Sequence, residues 1–224
     1  IVRVLPSIGS TGGIKAVNDD KIDIGLSYRP LKSEERSAKI GEEPYGRTAF
    51  IFGVKDTNPT KGLTLAEIEG IYAGKRNTWP DGTPIRLILR PISDGMSAYL
   101  AGINTGLKSA SEKAHSIPGV YVANTDQEAA TQIEKTPGSF GTTSSSVVAA
   151  EKRKIKALSV DGVAPTLPNV STGKYPYAMT LSLVYKKDKY KGTVKDFMEF
   201  VFSSDGKKLL SGNGQVTLQR ITRK

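Results

Sequence analysis

Three stretches of this chain bring hydroxyls and glycines to points where a strand pattern gives way to a helix pattern. The first is Ser7-Ile8-Gly9-Ser10-Thr11-Gly12-Gly13-Ile14-Lys15, behind the apolar run Ile1-Val2-Arg3-Val4-Leu5. It reads as strand, glycine-rich turn and helix N-terminus. Such a turn leaves backbone N–H groups without helical partners, adds the Ser10 and Thr11 hydroxyls, and sits at the positive end of a helix dipole. Its natural ligand is an anion. The second stretch follows the strand Arg86-Leu87-Ile88-Leu89-Arg90 and runs Pro91-Ile92-Ser93-Asp94-Gly95-Met96-Ser97 into a helix through Leu100. A guanidinium at such a strand end can grip two oxyanion oxygens at once, which makes Arg90 the candidate for the main positive charge. The third runs from Ser139-Phe140-Gly141 through Thr142-Thr143-Ser144-Ser145-Ser146, with Val147 to Glu151 as helix, and offers Thr142 and Thr143 as donors.

Glycine and serine ahead of a helix are also ordinary turn and cap chemistry, so each stretch alone is weak. Their convergence is what would matter. In open α/β sheets ligands collect at the carboxyl ends of strands, where the following helix N-termini point. Three such termini facing one cleft would surround a small oxyanion without a metal or a cofactor, and none is expected here.

Other chemistries find little footing. The first stretch lacks the Gly-Lys-Ser/Thr ending of a nucleotide P-loop, because Lys15 follows Ile14 and precedes Ala16; no G-x-G-x-x-G is present either. With no cysteine there is no disulfide, thiolate metal site or cysteine nucleophile. The lone histidine, His115, has no second histidine to form a metal pair and reads as structural or exposed. Ser204-Asp205-Gly206-Lys207 has the S-x-x-K form, but Ser203 or Ser204 as a helix cap explains it better. No G-x-S-x-G occurs, and a serine triad would have to recruit His115. The chain is therefore expected not to be an enzyme.

The elements that must position these residues follow a strand–helix alternation. Strands are expected at Ile22-Asp23-Ile24-Gly25-Leu26-Ser27, Thr48 to Val54 and Leu181 to Tyr185, and helix starts at Ser33-Glu34-Glu35 and at the capping box Thr64-Leu65-Ala66-Glu67. Val194, Phe197, Met198, Val201 and Phe202 have helical spacing and read as core, and a further helix is expected from Gly206 to Leu210. At 224 residues the chain fits one large domain or two lobes of about 100 residues each. No run approaches the ~18 apolar residues of a membrane span. A net charge of +10 raises nucleic acid as a partner; yet the run Lys152-Arg153-Lys154-Ile155-Lys156 and the tail from Lys186, with ten Lys/Arg against four Asp/Glu, lack interleaved aromatics. Solvated basic faces, with no nucleic-acid partner, are the expectation.

The order of segments resembles the phosphate-binding protein of bacterial phosphate ABC transporters and the wider type-2 periplasmic-binding-protein class. The resemblance rests on Gly9 to Lys15, on Ile22 to Ser27 with Arg29-Pro30-Leu31, and on Leu63 to Ile68 with Ile71-Tyr72-Ala73-Gly74-Lys75 and Trp79. It extends to Thr136-Pro137-Gly138-Ser139-Phe140-Gly141 and Asp161-Gly162-Val163. It implies an α/β fold of two lobes joined by two crossover strands, with the ligand held in an interlobe cleft. Lobe one would comprise 1–46 and 177–224 and lobe two 47–176, because Pro44-Tyr45 and Tyr175-Pro176 flank strands that would cross. It also implies a periplasmic or extracellular location, a membrane permease as partner, and anchoring through a segment outside this chain.

Carried over, the resemblance gives Ser10, Thr11 and Gly12 as donors from the first loop and Ser27 from the second, with Arg90, Ser93, Asp94 and Ser97 around the second strand end. Three departures accompany it. Tyr28 stands where the phosphate binders carry an acidic residue, and a neutral phenol that can also donate is expected to relax selectivity between phosphate and sulfate-like anions. The Ser93-Asp94-Gly95-Met96-Ser97 turn does not reproduce the family's hydroxyl spacing. The family's opening strand and helix are absent ahead of Ile1, which would leave a sheet edge open to a second copy as a homodimer. The alternative to an oxyanion transporter component is a sensor, scaffold or adhesion module with a degenerate site.

Overall fold

The computed structural model describes residues 2–220. In chain order the first elements are α1 (Gly9–Asn18), β1 (Ile24–Ser27), a single 3-10 turn at Ser33–Glu35, β2 (Ile40–Lys55), β3 (Gly62–Leu63), α2 (Leu65–Tyr72) and β4 (Arg86–Leu89). Next come α3 (Gly95–Ile103), α4 (Thr105–Ala114), β5 (Tyr121–Val122), α5 (Asp126–Lys135), β6 (Ser139–Ser144) and α6 (Ser145–Ala150). The chain closes with β7 (Ile155–Ala157), β8 (Ser159–Val160), α7 (Leu167–Ser171), β9 (Ala178–Lys186), a 3-10 turn at Lys187–Lys189, α8 (Gly192–Phe202), α9 (Ser204–Gly212) and β10 (Gln215–Thr217). It forms two compact units, Ile1–Thr48 with Met179–Lys224, and Ala49–Ala178.

Unit one is a small antiparallel sheet with β1 at its edge, β9 beside it and β2 next, β10 pairing Gly46 to Thr48 of β2. Alternation along β9 divides its side chains between two layers. Val184 joins Ile14 and Val17 of α1 with Leu31 and Ile40, while Leu181 and Leu183 join Tyr45 with Met198 and Val201 of α8. The helical spacing of Val194, Phe197, Met198, Val201 and Phe202 thus reads out as core. Helix α1 lies close on β1 because two glycines face each other: a Cβ on Gly25 would stand 3.0 Å from the Gly13 carbonyl. The strand expected at the start of the chain does not form. Val2, Val4 and Leu5 are exposed, and residues 2–8 have no ladder partner to satisfy their backbone groups; Ile1 lies outside the described residues, as does the tail from 221.

Unit two is a mixed sheet in which β4 runs parallel to both β5 and β6, and β6 and β7 pair antiparallel with β2. Its helices follow the parallel strands in turn, so α3, α5 and α6 all begin at the carboxyl ends of β4, β5 and β6. One face packs Ile88, Ala129, Ala130, Ile133, Val147 and Ile155. The other is aromatic: Phe140 sits 6.0 Å from Phe52, 5.9 Å from Tyr72 and 6.1 Å from Trp79 between ring centres. The Thr64 capping box is present, with the Glu67 N–H donating to Thr64 Oγ1 and the Thr64 N–H to the Glu67 carboxylate.

Phe140 is fully buried and touches three other rings. Phe140→Ala is expected to destabilise unit two by about 3–5 kcal/mol through lost burial and a residual cavity. Urea unfolding followed by the fluorescence of Trp79, the only tryptophan, measures it; a loss below about 1 kcal/mol would mean the aromatic cluster is not the core of this unit.

Candidate functional site

In unit one the glycine-rich stretch is helical sooner than its sequence suggests. Gly9 opens α1 with φ +70°, a conformation a side chain would resist, and Ile8 supplies no side-chain cap. Ser10, Thr11 and Gly12 therefore form the first turn of the helix and not a loop before it. Ser10 Oγ accepts the Tyr28 N–H at 3.0 Å, which fastens α1 to the end of β1. Ser27 Oγ donates to the Arg29 carbonyl at 2.6 Å and accepts the Arg29 N–H at 3.2 Å, so its one hydrogen is already committed. Arg29 forks onto Glu35 with distances of 2.6 and 2.7 Å and reaches Thr11 Oγ1 at 3.1 Å. Ser10 and Thr11 thus serve as acceptors within the fold, and a hydroxyl that accepts still carries its own hydrogen. The Tyr28 ring packs against the Tyr45, Leu181, Leu183 and Met198 cluster.

In unit two, Arg90, Asp94 and Ser97 lie together just past the carboxyl end of β4. Arg90 follows β4 directly, and its side chain is only 3% exposed. Its Nη1 donates to the Ala123 carbonyl at 2.8 Å. Its Nε and Nη2 reach the two oxygens of Asp94 at 3.3 and 2.8 Å. Asp94 in turn caps α3 by accepting the Met96 N–H at 2.9 Å. Asp126, the first residue of α5, stands 3.7 Å from the same guanidinium. Burial raises the Asp126 carboxyl above its usual range, with Arg90 opposing and Asp94 adding to the shift. The Arg90 carbonyl accepts from Ser97 Oγ at 3.0 Å and faces His115 Nε2 at 2.8 Å, while His115 Nδ1 faces the Ser111 carbonyl.

Arg90, expected to turn its fork toward an oxyanion, is paired here with Asp94: a buried guanidinium needs a counter-charge, and Asp94 supplies it four residues on. Ser93 is exposed. Thr142 and Thr143, expected at a helix N-terminus, are buried residues of β6 opposite Phe52 and Ile51. Thr143 Oγ1 has no hydrogen-bond partner. The α6 terminus itself is made by Ser144, which accepts the Val147 N–H at 3.2 Å, and by Ser145, which accepts the Ala49 N–H at 3.1 Å. The β4–β6 register pairs Ile88 with Gly141, which carries Arg90 and Thr143 to the same edge.

Sequence reasoning missed Asp126, Arg29, Glu35 and the role of His115. The stretch Thr125-Asp126-Gln127-Glu128 repeats the cap pattern found at Thr64, and Thr125 does cap α5, so that signal was available. Ser203 caps α9 through the Gly206 N–H, as expected for the S-x-x-K stretch. Among the basic residues, Arg153 pairs with Glu134 and Glu151, and Lys186 and Lys189 pair with Asp20.

A family profile described as a PBP superfamily domain matches residues 2–205. The chain belongs to the PBP superfamily. Among curated relatives, the phosphate-binding protein PstS of Bacillus subtilis is 29% identical over 96% of this chain and 71% of its own length. Phosphate-binding protein PstS 2 of Streptococcus agalactiae is 27% identical over 66% of this chain, which spans only 52% of that relative. A solved structure from Clostridium perfringens, described as a phosphate ABC transporter substrate-binding protein with bound phosphate, superposes with a TM-score of 0.79 at 25% identity, covering 95% of this chain and 86% of that one. This PBP domain shares with them its mixed α/β architecture.

The Arg29–Glu35 fork gives the domain an acid-sensitive brace. Hydrogen bonds from Arg29 hold the Glu35 carboxyl below its usual range. A depressed folded value means stability that is full above the unfolded pKa of about 4.3 and is lost as pH falls through the lower folded value. Glu35→Gln is expected to cost about 1–3 kcal/mol near pH 7. Denaturation from pH 7 to pH 3 should show the gap between wild type and variant closing at the acid end; a gap that stays constant would remove the pair from the acid response.

Proposed function

We propose that this domain is the solute-binding component of an ABC transporter, taking phosphate or a related oxyanion from outside the cytoplasm and delivering it to a membrane permease without performing chemistry. The observation that carries the reading is the gathering of the α3, α5 and α6 N-termini beyond the parallel strands β4, β5 and β6 of unit two. That is where open α/β sheets receive ligands, and the relatives named above support the ligand class. The two compact units serve as the lobes. Within unit one the candidate donors are the Ser10 and Thr11 hydroxyls with the Gly12 N–H, and within unit two they are Thr142 and Thr143 of β6.

A second reading has an observation of its own. The Arg90–Asp94 fork neutralises the one buried cation of unit two's edge, which favours a sensor, scaffold or adhesion module in which oxyanion binding has weakened. A thermal-shift panel of phosphate, sulfate, molybdate, tungstate and phosphonates separates the two. Ligand at 100 times its dissociation constant should stabilise the folded state by about 2.7 kcal/mol. A silent panel sinks the transporter reading, and turnover of a phosphate ester such as p-nitrophenyl phosphate would sink both.

A further inference from the structure

At the end of unit two's sheet away from the helix N-termini, a cavity of about 170 Å3 is lined by Lys55, Asn58, Asp81, Thr83 and Gly138. The register decides which end this is. β2 runs antiparallel to β6 with Phe50 opposite Ser144 and Gly53 opposite Gly141, so Lys55 falls toward the amino end of β6, whereas α6 leaves its carboxyl end. At Gly138 the lining is bare backbone: φ is +72°, and a Cβ there would stand 2.1 Å from the Pro84 carbonyl. The Gly138 carbonyl is held by the Trp79 indole N–H at 3.1 Å and the Arg86 N–H at 2.9 Å. The Asn58 loop is fixed as well, because the Lys156 ammonium donates to the Asn58 and Thr60 carbonyls.

Asn58 is only 9% exposed. Its Oδ1 accepts the Thr60 N–H at 2.9 Å, which fixes the orientation of the amide and leaves Nδ2 as the free end. No acceptor among the described residues takes the Nδ2 hydrogens. A buried amide donor in that state is costly unless something entering the cavity supplies an acceptor. Lys55, half-buried in the same lining, has no carboxylate partner among the described residues. Asp81 accepts the Thr83 N–H at 2.9 Å, and hydrogen bonds from Thr83 hold its carboxyl below the usual range, so it is ionised at neutral pH with no cation paired to it. One cavity thus holds a cation and an amide donor that lack an acceptor, and a carboxylate that lacks a cation. We propose that it binds a small zwitterion of the α-amino acid class, whose carboxylate is taken by Lys55 and the Asn58 amide and whose ammonium is taken by Asp81. The volume equals that of about five or six waters, which matches a ligand the size of glycine or alanine. A zwitterion satisfies both charges at once, whereas a simple anion or cation leaves one of them unmatched.

The test is isothermal titration of the full chain, and of Lys55→Met and Asp81→Asn, with L-alanine, acetate and methylammonium at neutral pH. L-alanine should bind wild type in the millimolar range, with acetate and methylammonium at least about tenfold weaker. Each substitution should weaken L-alanine at least about tenfold. Circular dichroism establishes that the variants are folded; should Lys55→Met fail to fold, Asp81→Asn, at an exposed turn and nearly the same in shape, carries the test. Repeating the titration in about 10 mM phosphate should leave the L-alanine affinity unchanged, which separates this cavity from the oxyanion reading. Absence of L-alanine binding at about 50 mM, acetate or methylammonium binding as tightly as L-alanine, variants that bind like wild type, or loss of L-alanine binding in phosphate would each overturn the proposal, and none of them bears on whether phosphate is bound elsewhere.

Discussion

A guanidinium buried to 3% exposure cannot be left without counter-charge and acceptors, and much of unit two is arranged around meeting that demand for Arg90. Asp94 ties it to the start of α3, the Ala123 carbonyl to the segment after β5, and Asp126 to the start of α5. Its own carbonyl is held from the other side by Ser97 and by His115 at the end of α4. Four pieces of chain thus meet at one residue just past β4. Removing one partner of such a cluster leaves a buried charge exposed to nothing that compensates it, which is far costlier than never having built the cluster. The strand end is consequently a fixed point, and the helix N-termini around it inherit that fixity.

Unit one repeats the device on a smaller scale. Arg29, two residues past β1, forks onto Glu35, and Glu35 also accepts the Lys32 N–H that opens the 3-10 turn. In both units an arginine at a strand end is held by a carboxylate that at the same time satisfies backbone N–H groups of a helical turn. Each carboxylate accepts from a charged and a neutral donor, so the pair is anchored to the backbone and not merely to another flexible side chain. The consequence is electrostatic. The cations nearest these two strand ends are thereby matched within the fold, and the helix N-termini beside them keep the directional field of their amide N–H groups.

How much of this the sequence discloses depends on whether the deciding partner is local. The Thr64 capping box, the apolar spacing of α8 and the Ser203 cap are decided within one or two helical turns, and each was legible. The Val2 to Leu5 run has strand composition, but a strand exists only with a neighbour, and its composition is silent about whether one is present. Thr142 and Thr143 illustrate a different ambiguity. Threonine suits both a cap and a strand, and only the β2 register, which sets Thr142 opposite Phe52 and Thr143 opposite Ile51, decides for the strand. Asp126 lies 36 positions from Arg90, and no pattern in the chain foretells that they meet. Asp94 was within reach: four residues after Arg90 it is spaced to pair with the arginine as readily as to sit beside it on a ligand.

Membership in the PBP superfamily fixes an architecture in which strand ends and helix N-termini gather, and architecture alone does not choose the ligand. That choice falls to the few side chains that decide the charge at the gathering point. At 25% identity the fold is shared over 95% of this chain with a solved relative, as a core held by burial tolerates many apolar sequences of similar volume. The contacts of Arg90 tolerate no such latitude: its buried guanidinium needs the Asp94 carboxylate as counter-charge, and an apolar residue there would leave it underpaired. The apolar frame can therefore drift in sequence, whereas the charge at the end of β4 cannot change without a compensating change beside it.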